Sequence, residues 1–248
     1  MPAWEVAVLA GAAFTAGTVD AIAGGGGLIT LPTLLAVGLP PHQALGTNKA
    51  QSVWGSAAAL VTFVRAGAVD RGWAPLLFAL GLLGSFAGAA AVLAVTPGVL
   101  RPVVIVLLTL AALVMIVRKP AAAAAVPANL ARRRAVLLAA VIGAYDGFFG
   151  PGTGTFLIVG FVAWCGLAPE RATANAKVVN FASNLAALAV FASRGQVVVV
   201  VAAPMALAQL AGGVLGARLA LRGGARLVRA AVIAVSAALI VKLALDLV

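Results

Sequence analysis

Two lysines stand where an apolar helix should carry none. Lys49 and Lys177 each lie a few residues into a long hydrophobic run, and polar side chains surround both. Thr47, Asn48, Gln51, Ser52 and Ser56 flank the first; Thr173, Asn175, Asn180 and Asn184 flank the second. Ser52 and Ser56 share a helical face with Lys49, as Asn180 and Asn184 do with Lys177. An ammonium at membrane depth costs several kcal/mol, so it normally faces the protein interior or a pathway. A lysine near a helix end can instead snorkel to the headgroups, but the polar stripe continuing inward favours the pathway.

Ahead of each lysine lies an acid followed by glycines. Asp20-Ala21-Ile22-Ala23 leads into Gly24, Gly25, Gly26 and Gly27, and 126 positions later Asp146-Gly147-Phe148-Phe149 leads into Gly150, Pro151, Gly152, Thr153 and Gly154. Glycine permits positive φ and close backbone approach. Such irregular backbone survives at membrane depth only where it is buried or lines a watery cavity. The half-helices that follow would aim N–H groups and a partial positive charge at that cavity, which suits an anion. A kink needed only for packing is the plainer reading of one break; two at matched places favour a site. Asp20 and Asp146 then have two readings. They are static partners of Lys49 and Lys177 or caps on the broken helix, or they are carboxylates that carry a coupling proton; the static role weighs slightly more.

Composition says where these residues must sit. Hydrophobic residues make up 64% of the 248 and charged residues only 9%, against roughly 25% charged in a soluble domain. The chain reads as an integral membrane protein, all-α, because its apolar runs are continuous and about 20 residues long. Spans are expected near 3–22, 43–64, 73–95, 99–117, 135–149, 172–193, 197–220 and 227–247. Leu28–Val37 and Thr155–Trp164 are too short to cross and read as half-helices or re-entrant arms. The net charge of +11 does not point to nucleic acid, since the cations occupy short loops between apolar runs. His42 reads as a loop residue. One cysteine, Cys165, allows no internal disulfide. No nucleophile triad, nucleotide fingerprint or metal cluster is present, so neither an enzyme nor a cofactor or metal is expected.

The pattern is a duplication. At a shift of 128, Lys49–Leu60 overlies Lys177–Leu188, Phe63 meets Phe191, Arg101 meets Arg229, and the pair Gly84/Gly88 meets Gly212/Gly216. The halves are expected at 1–118 and 132–248, joined by a linker at 119–131. Charge decides their relation. If each broken element crosses the membrane once, the fifteen Lys/Arg other than Lys49 and Lys177 divide 9:6 between the faces. If each enters and returns on one face, they divide 12:3, with only Arg101, Arg194 and Lys242 opposite. The positive-inside rule prefers the second. The expected architecture is a polytopic helix bundle of two inverted repeats, with both termini periplasmic.

These residues resemble the sulfite exporter TauE/SafE family of bacterial membrane permeases. The resemblance rests on the glycine break leading to Leu31-Pro32, on Ala44-Leu45-Gly46-Thr47-Asn48-Lys49, on Gly147–Gly154, and on Ala172–Asn180. It covers nearly the whole chain. The first half departs from the second in carrying Ser52 and Ser56 where Asn180 and Asn184 stand. The resemblance implies passage of a small sulfur-containing or organic anion, sulfite-like or sulfoacetate-like, across the inner membrane. The expected substrate-binding set is Gly24, Gly25, Gly26, Gly27, Asn48, Lys49, Ser52, Gly150, Gly152, Thr153, Gly154, Asn175, Lys177 and Asn180, with Asp20 or Asp146 as the coupling residue. Alternating access is the expected mechanism and a passive anion channel the rival. Lipid and the anion are the expected partners; a proton as coupling ion and self-association of the chain are both admitted.

Overall fold

The computed structural model describes the backbone at 3–117 and 125–246, with side-chain surroundings given except at 3, 101, 112, 114–117 and from 224 onward. Every regular element among the described residues is helical. In chain order these are α1 (Ala3–Ala23), α2 (Gly27–Ala36), α3 (Pro41–Arg65), α4 (Ala74–Leu93), α5 (Pro97–Val117), α6 (Ala128–Phe148), α7 (Thr153–Ala163), α8 (Pro169–Ser193) and α9 (Val199–Asp246). Four of them are long and apolar enough to cross a membrane, over Trp4–Ala23, Ala74–Leu93, Pro169–Ser193 and Val199–Gly223.

Proline and glycine set the boundaries. Pro41, Pro97 and Pro169 open α3, α5 and α8, where a missing N–H costs nothing. Gly24 (φ +77°) and Gly150 (φ +97°) take left-handed backbone and end the runs of α1 and α6, which no β-branched or bulky residue could do without strain. The half-helices α2 and α7 are 10 and 11 residues long, close to the expected short pieces. Two boundaries differ from expectation. Ala128–Ala131, placed in the linker by composition, form the first turn of α6, because Pro127 fixes the entry to that helix. The expected spans at 197–220 and 227–247 run as one helix, α9; Gly223-Gly224 lowers helix propensity but, unlike proline, does not remove a backbone donor. Arg118 and residues 119–124 of the expected linker lie outside the described residues, as do the side chains of Arg101, Arg226, Arg229 and Lys242.

The solvent preference of the surface is inverted relative to a soluble protein. Phe86 (57% exposed), Leu207 (73%) and Val200 (77%) stand on the outside, while Lys49, Lys177, Asn48, Gln51, Asn175 and Asp146 are buried. Such a surface is matched to hydrocarbon.

Two apolar clusters have equivalent membership. Leu9, Ala13, Leu31, Ala44 and Ala89 occur in one, and Ala135, Ala139, Leu157, Ala172 and Ala217, displaced by 126 or 128 positions, occur in the other. Each cluster borrows from the opposite half of the chain: Phe191 and Met205 complete the first, Phe63 and Leu77 the second. Helix pairing repeats in the same way. A Cβ on Gly84 would meet the backbone of Ala140 and Ala144, and one on Gly88 that of Ala144 and Phe148. A Cβ on Gly212 would meet Phe14 and Thr18, and one on Gly216 would meet Thr18 and Ala21. The α4–α6 and α1–α9 interfaces are therefore close backbone contacts through small residues.

Candidate functional site

Asp20 and Asp146 occupy the last turns of α1 and α6. A carboxylate there opposes the helix dipole and requires a cation from elsewhere. The cations come crosswise. Lys177 of α8 donates to Asp20 Oδ2 at 2.8 Å, and Lys49 of α3 donates to Asp146 Oδ1 at 2.6 Å. Each pair thus joins the two halves. Among the described residues these are the ion pairs formed, and both lysine side chains are at most 1% exposed.

The two glycine breaks abut. A Cβ on Gly24 would collide with the backbone of Gly154 and Thr155. Thr155 Oγ1 donates to the Ala23 carbonyl at 2.9 Å, fastening the first turn of α7 to the end of α1. Gly27, which opens α2, faces Pro151, whose Cα would lie 3.2 Å from a Cβ at that position. Gly150 gives the Lys49–Asp146 pair its room: a Cβ there would sit 2.7 Å from Lys49 Nζ and 3.0 Å from Asp146 Oδ1.

Between the breaks lies a cavity of about 20 Å³, lined by side chains and backbone from α1, α2, α3, α6, α7, α8 and α9. Room of that size holds about one water molecule. The structure brings Gly25, Gly27, Asn48, Lys49, Ser52, Gly150, Gly152, Thr153, Gly154 and Asn180 to it, together with both acids. Four residues of the expected set are not in its lining. Gly24 packs against α7, and Gly26 donates its N–H toward Asp20 Oδ1 at 3.4 Å. Lys177 lies behind Asp20, held by it. Asn175 sits on the Arg171 side of Lys177, donating to the Arg171 carbonyl at 3.0 Å and accepting from the Asp70 N–H at 3.2 Å. It ties α8 to the loop after α3.

Gln209 of α9 and Asn184 of α8 line the cavity beyond that set. Asn184 belongs to the polar stripe seen in the sequence. Gln209 does not, because its repeat equivalent is Gly81 and nothing marks it except a lone amide in an apolar helix. Its side chain fills the space beside Gly55, whose Cβ would sit 3.2 Å from the Gln209 amide nitrogen. Among the described residues, Gln209 Oε1, Gln51 Oε1 and Asn180 Oδ1 are buried without a hydrogen-bond partner. Buried acceptors left unpaired are costly, and two of the three, on Asn180 and Gln209, belong to residues that line the cavity, where a polar guest has bonds to gain. No group of His, Cys, Asp and Glu among the described residues could hold a metal ion.

The sequence matches the family model described as sulfite exporter TauE/SafE over residues 9–243. It is 38% identical to a probable membrane transporter protein, ORF9, of Sinorhizobium, over 95% of this chain and 90% of that one. It is 36% identical to the probable membrane transporter protein YfcA of Escherichia coli K12, over 94% and 87%. A probable membrane transporter protein of Haemophilus influenzae is 35% identical over 97% and 95%. No solved structure matches the chain. With the family model spanning nearly its whole length and relatives this similar end to end, the chain belongs to the sulfite exporter TauE/SafE family.

Proposed function

We propose that this chain is a secondary transporter that moves a small organic or sulfur-containing anion, sulfite-like or sulfoacetate-like, across the bacterial inner membrane by alternating access. The relatives named as membrane transporters support the general class. One observation carries the specific reading: a buried polar cavity sits where two broken helices meet, bordered by lysine–aspartate pairs that cross between the halves. Discontinuous helices meeting near a repeat interface are the recurrent design of transporter sites.

The halves are read as inverted repeats, 1–118 and 132–248. Contacts of α3 with α8 support this. Gly46 near the start of α3 lies against Phe191 near the end of α8, and the loop after α3 meets Asn175 near the start of α8. These equivalent helices therefore run in opposite directions. The N-terminus is placed in the periplasm on the charge distribution of the loops, whereas α9, unbroken from Val199 to Asp246, does not make the second crossing that would return the C-terminus to that face.

A cavity with room for about one water must widen to admit an anion, which favours a gated carrier over a standing pore. In this reading Lys49, Lys177, Asn48, Ser52, Asn180 and the first turns of α2 and α7 hold the anion, and a proton on Asp20 or Asp146 couples to it. A thermal-shift screen of purified protein against sulfite, sulfate, thiosulfate, sulfoacetate, taurine and short carboxylates tests the substrate class. Saturable counterflow of the stabilising anion in proteoliposomes is the expected result. Single-channel currents without counterflow would establish the passive channel instead.

A further inference from the structure

The two acids are repeat equivalents, yet their surroundings differ. Asp146 is enclosed by Lys49 and by the hydroxyls of Thr153, 3.0 Å from Oδ1, and Ser183, which donates to Oδ2. The positions equivalent to Thr153 and Ser183 in the first half are Gly27 and Gly55. Neither offers a side-chain donor. Asp20 accordingly accepts from Lys177 on Oδ2, while Oδ1 has only the long contact with Gly26 N–H. The side chain of Asp20 is 20% exposed and that of Asp146 is 3% exposed. Asn180 Oδ1, an acceptor with no partner among the described residues, faces the same bare Cα of Gly154 as Asp20 Oδ1. Each of those oxygens would lie 3.4 Å from a Cβ on Gly154.

From this asymmetry we infer that Asp20 is the proton-carrying residue of the transport site, that Asp146 is a permanently ionised positioning residue, and that one proton travels in the same direction as the anion. The inference rests on the transport reading above. Two lysines and two carboxylates leave the site neutral. An anion entering alone would leave net negative charge buried, which a low-dielectric interior opposes and which one accompanying proton lowers by one unit. A proton taken from the medium by Asp20 Oδ1 forms an O–H bond and breaks no covalent bond. It cancels the carboxylate charge, supplies a donor beside the same Gly154 that the unpartnered Asn180 Oδ1 borders, and releases the Lys177 ammonium, still protonated, to the anion. At Asp146 the Lys49 ammonium and the Ser183 hydroxyl already donate, and Thr153, whose one hydroxyl proton the Gly150 carbonyl also draws at 2.6 Å, lies against Oδ1, so protonation there weakens more bonds than at Asp20. The charged groups facing Asp20 are Lys177 of α8 and, across the cavity, Lys49 of α3 and Asp146 of α6. The helices α2 and α7 carry no titratable side chain, and α9 turns uncharged Gln209 toward the cavity.

The test uses the full chain in detergent with sulfite and sulfoacetate as probes. Wild type should take up one proton for each anion bound, in weakly buffered solution, and bind more weakly as pH rises. Asp20→Asn, a neutral isostere of the protonated acid, should bind without that uptake. The protonation of sulfite itself is common to both proteins, so their difference reads Asp20. Infrared difference spectra of wild type provide a second readout that needs no Asp20 variant: a new carboxylic-acid C=O band should appear on anion addition and survive Asp146→Asn. Equal proton uptake in wild type and Asp20→Asn, or no such band in wild type, overturns this inference and leaves the transport reading standing. Failure of wild type to bind either probe overturns both.

Discussion

Each buried lysine is held by a single carboxylate from the opposite half of the chain, so the charge of either group is tolerable only while its partner is present. Lys49→Ala leaves Asp146 buried and ionised without its cation and should cost about 3–5 kcal/mol. Lys49→Met combined with Asp146→Asn removes both charges and should recover most of that loss, since replacing a buried pair by neutral groups of similar volume is often nearly neutral. Chemical denaturation or thermal melting of the single and double variants in one detergent measures the difference. A double variant no more stable than the single one would mean that the pair does more than neutralise itself. The sequence revealed the lysines, the acids and the glycines as chemistry-bearing residues, because each is improbable in lipid. It could not reveal which lysine meets which acid. That pairing depends on α8 reaching α1, and α3 reaching α6, across the duplication.

At the scale of helices, the small residues at α4–α6 and α1–α9 set how closely the backbones approach. Gly88 has no room for a methyl group because the carbonyl of Ala144 occupies it. Gly88→Ala should therefore destabilise by about 1–3 kcal/mol, as overpacking does. Gly11 in α1 has nothing within 4 Å of a new Cβ, so Gly11→Ala should stabilise by up to about 1 kcal/mol through helix propensity. Opposite shifts in melting temperature are the expected outcome; equal shifts would show that the backbone contact at Gly88 is not tight. The repeated Gly-x-x-x-Gly spacing was visible in the sequence, and so were α2 and α7 as short pieces. The start of α6 was not, since its arginine-bearing first turns look like a loop by hydropathy and only Pro127 marks the true boundary. Gln209 escaped notice for a related reason. The halves mark the site where they match, and Gln209 breaks the match.

For the whole molecule, apolar side chains outside and amides inside identify a membrane protein without reference to any single residue. Orientation follows from the loops. Arg71 lies beyond the end of α3 and Arg194 at the end of α8, on opposite faces in the inverted arrangement. In a Cys165→Ala background, an impermeant maleimide applied to intact cells should label Arg194→Cys and should label Arg71→Cys only after the membrane is opened. The reverse pattern would invert the protein, and labelling of both from outside would break the proposed topology. The cavity between the breaks has room for about one water molecule. In the proposed alternating-access reading the halves move apart at the surface where Gly24 meets Gly154 and Thr155.

The most direct test of the central claim is sulfite and sulfoacetate binding by isothermal titration to wild type and to two charge-free variants, Lys177→Met with Asp20→Asn and Lys49→Met with Asp146→Asn. With the site as described, wild type binds one of the two probes saturably and each variant, still folded by its melting curve, loses at least tenfold in affinity, the loss of about 1.4 kcal/mol or more expected when a charged anchor disappears. Unchanged affinity in both folded variants would place the anion elsewhere and contradict the account.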